Sequence, residues 1–230
     1  ASFYIIRNAG ALLENDEQDG LAHFLEHMAF QGTKNFPGKG IITSLEKHGV
    51  SFGRNINAYT AQNETVYNLS DVPTNSESLL DTCLLILHDW SYYLTLEDDE
   101  IDAERGVITE EWRTRRTPQF RIQKQMFPVL FKDSKYAIRD VIGNLDVIKN
   151  FKYQTIRDFY HEWYRTDLEA IAIVGDFDVA KMEQKVKELF SKIPAVENPT
   201  PRPFYEIPEH DEMYYCLATD KEVQQSSIQI

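Results

Sequence analysis

Gly20-Leu21-Ala22-His23-Phe24-Leu25-Glu26-His27-Met28 is the stretch from which fold and chemistry are both read. Its apolar spacing predicts a helix over Gly20 to Phe30. His23 and His27 are four residues apart, so they stand about 40° apart around such a helix and their imidazoles face one way. That spacing lets both bind one metal ion. Glu26 lies about 60° to the other side of His23, close enough to touch a metal-bound water without being a ligand. The order His-x-x-Glu-His fits chemistry that needs a Lewis acid to polarise a carbonyl and a carboxylate to take a proton. The plainer reading is a helix with two incidental histidines and a surface glutamate.

A catalytic zinc usually takes a third protein ligand and keeps a position for water. The best source is Glu104-Arg105-Gly106-Val107-Ile108-Thr109-Glu110-Glu111-Trp112, within a helix predicted over Glu97 to Arg116. Glu104 and Glu111 are seven apart, about 20° out of line after two turns, and Ile101, Val107, Ile108 and Trp112 flank that stripe. Two carboxylates on an apolar face must be paired or bound to a metal, because an unpaired buried charge is costly. Glu110 points about 100° away and reads as solvated. Either Glu104 or Glu111 can be the third ligand, and pairing with Arg105 or Arg54 is the non-metal alternative.

Outward from these helices, Ser2 to Asn8, Val50 to Ala58 and Thr65 to Leu69 read as strands, with Tyr59 to Glu64 as a turn. Glu169 to Val174 reads as a buried strand. Further helices are expected over Ile41 to His48, Ser76 to Tyr93, Gln119 to Phe131, Gln154 to Tyr164 and Val179 to Ile193. Strands followed by helices without strict alternation point to α+β. Asn57 and Ala58, in the polar but strand-like Gly53-Arg54-Asn55-Ile56-Asn57-Ala58-Tyr59-Thr60, suit an edge strand that pairs with an extended peptide. An ordinary hairpin with Asn near its turn is the alternative.

The chain has 230 residues, 42% hydrophobic and 27% charged, which excludes the disordered and low-complexity classes. Its net charge of −13 argues against a nucleic-acid partner, whose phosphates need a basic footprint. The longest apolar run, Leu79 to Leu87, is short and broken by Asp81, so no membrane span is expected. Cys83 and Cys216 cannot make a disulfide framework, and Cys83 in Cys-Leu-Leu-Ile-Leu reads as a buried thiol. Pro194, Pro199, Pro201, Pro203 and Pro208, five of the nine prolines, fall within 15 residues and mark a linker. Met213 to Leu217 and Ser226 to Ile230 look like strands of whatever follows. The chain therefore reads as an excerpt, with a domain over 1–197 and a linker with the first strands of the next over 198–230.

His23-Phe24-Leu25-Glu26-His27 followed by Met28-Ala29-Phe30-Gln31-Gly32-Thr33-Lys34 resembles the pitrilysin/insulinase family of zinc metallopeptidases. Glu104-Arg105-Gly106-Val107-Ile108 through Glu111 resembles that family's downstream ligand segment. Asn57-Ala58-Tyr59-Thr60 resembles its substrate edge, and Ile171-Ala172-Ile173-Val174-Gly175-Asp176 a strand and turn of its N-terminal domain. The stretch Asn57 to Asp71 and the ending Glu110-Glu111-Trp112-Arg113 look most like the bacterial branch. The resemblance implies a mixed, mostly antiparallel sheet with helices on one face. It implies a Zn2+ cofactor held by His23, His27 and Glu111. Glu26 would be the general base on the zinc-bound water, Glu104 a supporting catalytic carboxylate, and Asn57 and Ala58 the residues that bind the substrate backbone. The interval from His27 to Glu111 is 84 residues, longer than usual; Glu104 is nearer on spacing, but the local word matches at Glu111, with an insertion between Asp71 and Asp102. The implied activity is zinc endopeptidase or oligopeptidase on a peptide or small protein. A homologous second half, in the same chain or a partner subunit, would close over the substrate, and an exported or periplasmic location goes with the bacterial branch. A non-catalytic scaffold half is the competing reading.

Overall fold

The computed structural model describes residues 1–228. Its sheet is built from β1 (Ser2–Arg7), β2 (Ile56–Thr60), β3 (Thr65–Leu69) and β4 (Glu169–Val174) in the order β2-β3-β1-β4. Every pairing is antiparallel, so the expected mixed sheet is wholly antiparallel among the described residues. The register aligns three rows across it: Ile56, Leu69, Phe3 and Ile173; Ala58, Tyr67, Ile5 and Ile171; Thr60, Thr65, Arg7 and Glu169. Side chains alternate along a strand, so all three rows lie on one face. That face is the core: Phe3, Ile5, Arg7, Ile56, Tyr67 and Leu69 are fully buried, while Ile6 on the other side of β1 is exposed. The fold is α+β, as the sequence pattern indicates.

The third row is polar, and its buried charge is compensated. Arg7 pairs with Glu169 at 2.7 Å, donates to the carbonyl of Ser91 at 2.9 Å and lies 4.1 Å from the centre of the Tyr164 ring. Ser91 completes the cluster by donating to Glu169. A guanidinium suits such a site because its fork satisfies several acceptors at once.

The helices are α1 (Leu21–Met28), α2 (Gly40–Glu46), α3 (Glu77–Tyr92), α4 (Asp98–Thr114), α5 (Pro118–Leu130), α6 (Leu145–Asn150), α7 (Tyr153–Trp163) and α8 (Val179–Phe190). Three of them begin where the sequence supplies a side-chain cap: Ser76 for α3, Thr117 with Pro118 for α5, Asp178 for α8. The acidic first turn of α4, Asp98-Asp99-Glu100, and Arg113 in its last turn complement the helix dipole. Trp90 ties α3 to the end of α1: it is fully buried, its indole N–H donates to the carbonyl of Ala29 at 2.9 Å, and its ring stacks on Tyr67.

Several expectations change. β2 starts at Ile56 rather than Val50, and Tyr59 and Thr60 belong to it rather than to a turn. Upstream, Gly53 takes φ +79°, and the Asn55 side chain accepts from Ser51 N and donates to the carbonyl of Ser70. Those bonds satisfy a turn locally and leave no ladder to extend. β4 is not buried, because it is the sheet's edge; Val174 is largely exposed. Val107 is exposed and lies off the buried stripe of α4 made by Ile101, Glu104 and Ile108. Met213 to Leu217 is irregular, with Met213, Tyr215 and Leu217 exposed, and among the described residues no strand pairs with it. Ser226 to Ser227-Ile228 is likewise irregular, and the rest of that expected strand lies outside the described residues.

One backbone contact went unread in the sequence. Gly20 opens α1 at φ +105°, and Gly143, just before α6, takes φ +73°. A Cβ on Gly143 would lie 2.2 Å from Gly20 Cα and 2.4 Å from the carbonyl oxygen of Asp19. The two loops are therefore in backbone contact, and Asn144 N donates to that same carbonyl. Gly143→Ala is expected to lower stability by roughly 2 kcal/mol or more, through a left-handed non-glycine residue and a clash together. Urea unfolding measures this, and an unchanged midpoint would mean the loops part freely.

Candidate metal centre

α1 is short and mostly buried, and its two ends are held by other elements. At its start Glu14 accepts from Gly20 N at 3.0 Å and from Ala22 N at 2.7 Å, meeting two backbone donors that a helix leaves open. Gly20 itself provides no side-chain cap. The helix lies against β2 on one side and α4 on another. It therefore carries His23, Glu26 and His27 into a seam between a strand and a helix.

There, one ligand atom from each of His23, His27 and Glu111 lies within 4.8 Å of the other two. Glu111 Oε2 is 3.3 Å from His27 Nε2 and 3.6 Å from His23 Nε2. This oxygen is buried and makes no hydrogen bond. Donors about 2.0–2.1 Å from one tetrahedral zinc stand roughly 3.3–3.4 Å from each other, so these separations suit a single ion. Two imidazoles and one carboxylate are also a donor set that zinc accepts. The residues present fit the metal.

The partners around the three side chains are consistent with that. Glu104 is buried; its Oε1 lies 2.7 Å from His27 Nδ1, and its Oε2 accepts from Gln31 Nε2 at 2.6 Å. Glu104 thus meets the nitrogen of His27 that faces away from Glu111. Arg115, one turn beyond Glu111, binds its Oε1 at 2.6 Å and leaves Oε2 toward the imidazoles. The arginine that reaches the acidic pair is therefore Arg115, whereas Arg105 is spent on Asp102 and on the carbonyls of Ile148 and Phe151. Glu110 is bound to Arg113 at the surface. Glu26 Oε2 accepts from Thr60 Oγ1 at 2.6 Å.

Protonation follows from burial and charge. Burial, followed by the charge of His27, pushes His23 down to about 4, so its imidazole is neutral. Burial works against a charged His27 too, yet the hydrogen bond to Glu104 and the negative charge of Glu111 prevail and lift it to about 9. Contact with His27 lowers Glu111 to about 2, against the cost of its own burial. A cation held by His23, His27 and Glu111 would displace the proton that His27 otherwise retains, so its binding would release a proton. Burial raises Glu26 above the usual carboxylate range, opposed by the bond from Thr60.

His23, His27 and Glu111 come together, Glu104 joins them through His27, and Glu26 stands on the same helix as the two histidines. Asn57 and Ala58 lie on β2, which is the sheet's edge and pairs with β3 on one side alone among the described residues. Sequence reasoning passed over Thr60, Gln31, Arg115 and Glu14. Thr60 had a signal, since it continues the alternation Ile56, Ala58, Thr60. Arg115 had one in its i+4 spacing from Glu111. The contacts of Glu14 and Gln31 are set by loop geometry and left no periodic trace.

Glu14 yields a test. Burial pushes its carboxyl up from the ordinary 4.5 to about 8, against the lowering effect of the Gly20 and Ala22 N–H groups. A carboxyl with a folded-state value above the unfolded one holds its proton more tightly when folded. It therefore favours the folded state at low pH, and that advantage is lost as pH rises from about 4.5 through about 8. Glu14→Gln, neutral throughout, is expected to flatten this part of the pH dependence of unfolding free energy. Urea titrations of both proteins at pH 5 and pH 8 measure it; parallel slopes would place the titration elsewhere.

A family model described as Insulinase (Peptidase family M16) matches residues 2–132, and one described as Peptidase M16 inactive domain matches residues 150–230. The sequence is 40% identical over 195 residues to the Probable zinc protease PqqL of Haemophilus influenzae, covering 85% of this chain and 20% of that protein. It is 31% identical over 231 residues to the Zinc protease PQQL-like of Arabidopsis thaliana, covering 100% of this chain and 24% of that one. The crystal structure of the first half of the periplasmic protease PqqL from Escherichia coli is similar at a TM-score of 0.84 and 36% identity, covering 92% of this chain and 44% of that one. The chain spans about a fifth of the length of the curated relatives it matches.

Proposed function

The chain belongs to the insulinase family, peptidase family M16, and from that footing we propose that it carries the catalytic domain of a zinc-dependent endopeptidase or oligopeptidase. One observation carries the reading: the convergence of His23, His27 and a buried, unbonded Glu111 oxygen, with Glu26 on the same helix. His23, His27 and Glu111 are the residues that would hold zinc. When bound, zinc supplies a Lewis acid that polarises a carbonyl and makes a water more acidic. Glu26 takes the proton from the attacking water and returns it to the leaving amine. Glu104 accepts from His27 Nδ1, which fixes the ring and turns its Nε2 inward. Asn57 and Ala58, on the open edge of β2, hold the substrate backbone by strand addition.

The scaffold reading asks for a site stripped of its chemistry, and the full donor set with its general base disfavours it. We take residues 1–197 as one unit, since α7 lies in the core and β4 pairs with β1. Residues 198–230 then lead to further parts of a longer protein, among them a homologous half that closes over a peptide or small-protein substrate. A periplasmic or exported site of action is inferred from the Escherichia coli relative, whose title calls it periplasmic. Among the described residues no helix is long and apolar enough to cross a membrane.

Mutagenesis in the whole protein tests the roles. Glu26→Gln is expected to keep one equivalent of zinc by metal analysis and to lose roughly 10²-fold or more in kcat. Hydrolysis by that variant at the wild-type rate would remove Glu26 from the mechanism. Glu111→Gln is expected to lose the metal outright, whereas Glu104→Gln weakens zinc affinity by roughly 10–100-fold, the usual cost of removing a ligand's supporting hydrogen bond. The reverse order would make Glu104 the third ligand.

A further inference from the structure

We propose that Thr60 is the positioning residue of Glu26, tying down one carboxylate oxygen so that the other faces the reacting water. The proposal rests on the reading of Glu26 as general base and adds what aims it. Thr60 Oγ1 donates to Glu26 Oε2 at 2.6 Å, and this is the one hydrogen bond to that carboxylate among the described residues. Oε1 is left without a protein partner. A glutamate on a helix can swing its carboxylate through a broad range of terminal torsion, so a single bond to one oxygen decides where the second oxygen sits.

The donor is well placed for that task. Thr60 closes β2 opposite Thr65, whose buried hydroxyl donates to the carbonyl of Ala9 at 2.9 Å. The turn that follows is clamped to the segment before α1: Ala11 N donates to Ala61 O and Leu12 N to Gln62 O. Gly10 comes so close that a Cβ there would lie 2.4 Å from Ala61 O. The same segment continues to Glu14, which caps α1. Thr60 and the helix that bears Glu26 are thus referenced to one piece of backbone. A β-branched side chain adds stiffness, because its χ1 is restricted. Glu111 shows the same device, with Arg115 on one oxygen and the other turned to the imidazoles.

The test uses the whole, zinc-loaded protein and four variants: Thr60→Val, Thr60→Ser, Glu26→Gln, and Thr60→Val combined with Glu26→Gln. Thr60→Val is expected to keep one equivalent of zinc, lower kcat by roughly tenfold or more and leave KM within about twofold, while Thr60→Ser restores kcat to within about threefold. In the non-cleaving Glu26→Gln background, adding Thr60→Val is expected to leave the affinity for a fluorescein-labelled decapeptide, cut from a sequence the wild type cleaves, within about twofold. Wild-type kcat in Thr60→Val, alongside an inactive Glu26→Gln, overturns the role of Thr60 alone. A loss that Thr60→Ser does not recover, or a fall in peptide affinity in the Glu26→Gln background, overturns it too and gives Thr60 to the strand or the substrate. Undiminished cleavage by Glu26→Gln overturns the reading beneath.

Discussion

An eight-residue helix has little stability of its own in water, because its nucleation cost is spread over too few hydrogen bonds. α1 exists because other elements hold it. The Glu14 carboxyl meets its open N–H groups, Gly143 presses against Gly20, and the Trp90 indole takes the carbonyl of Ala29 just past its end. Each anchor comes from a different part of the chain. The geometry of His23, Glu26 and His27 is therefore a property of the whole core.

That dependence accounts for the way charge is arranged. Two histidines and three glutamates near one seam would repel or titrate away if left loose. Each acid instead has a defined donor: Thr60 for Glu26, Gln31 and His27 for Glu104, Arg115 for Glu111. The pairing leaves one Glu111 oxygen buried and unbonded beside the imidazoles. A buried polar atom without a partner is costly, and a divalent cation is the partner this donor set suits. The deeper row beneath pairs the Arg7 guanidinium with the Glu169 carboxylate and the carbonyl of Ser91, an ion pair of opposite charges within the core.

Membership of the M16 family fits this arrangement, and so does the likeness to the first half of a periplasmic protease. The strand expected from Val50 is interrupted by the Asn55 turn, β4 is open because nothing among the described residues pairs with its outer edge, and Val107 stands on a side of α4 left exposed among the described residues. The segment from Val50 is a turn and not a strand, whereas for β4 and Val107 the apolar pattern is real and burial was decided by a neighbour.

The amino-acid order by itself determined that two imidazoles and a carboxylate share one helical stripe, that two more carboxylates share another, and that Ile56 and Ala58 face the same way. These are consequences of periodicities of 3.6 and 2, which are properties of short backbone segments. The tertiary structure alone decided which oxygen of which glutamate turns to the histidines, that Glu104 takes the far nitrogen of His27, that Thr60 holds Glu26, and that Glu14 caps the helix. Those choices depend on how separate segments pack, and contacts between distant segments leave no period in the chain.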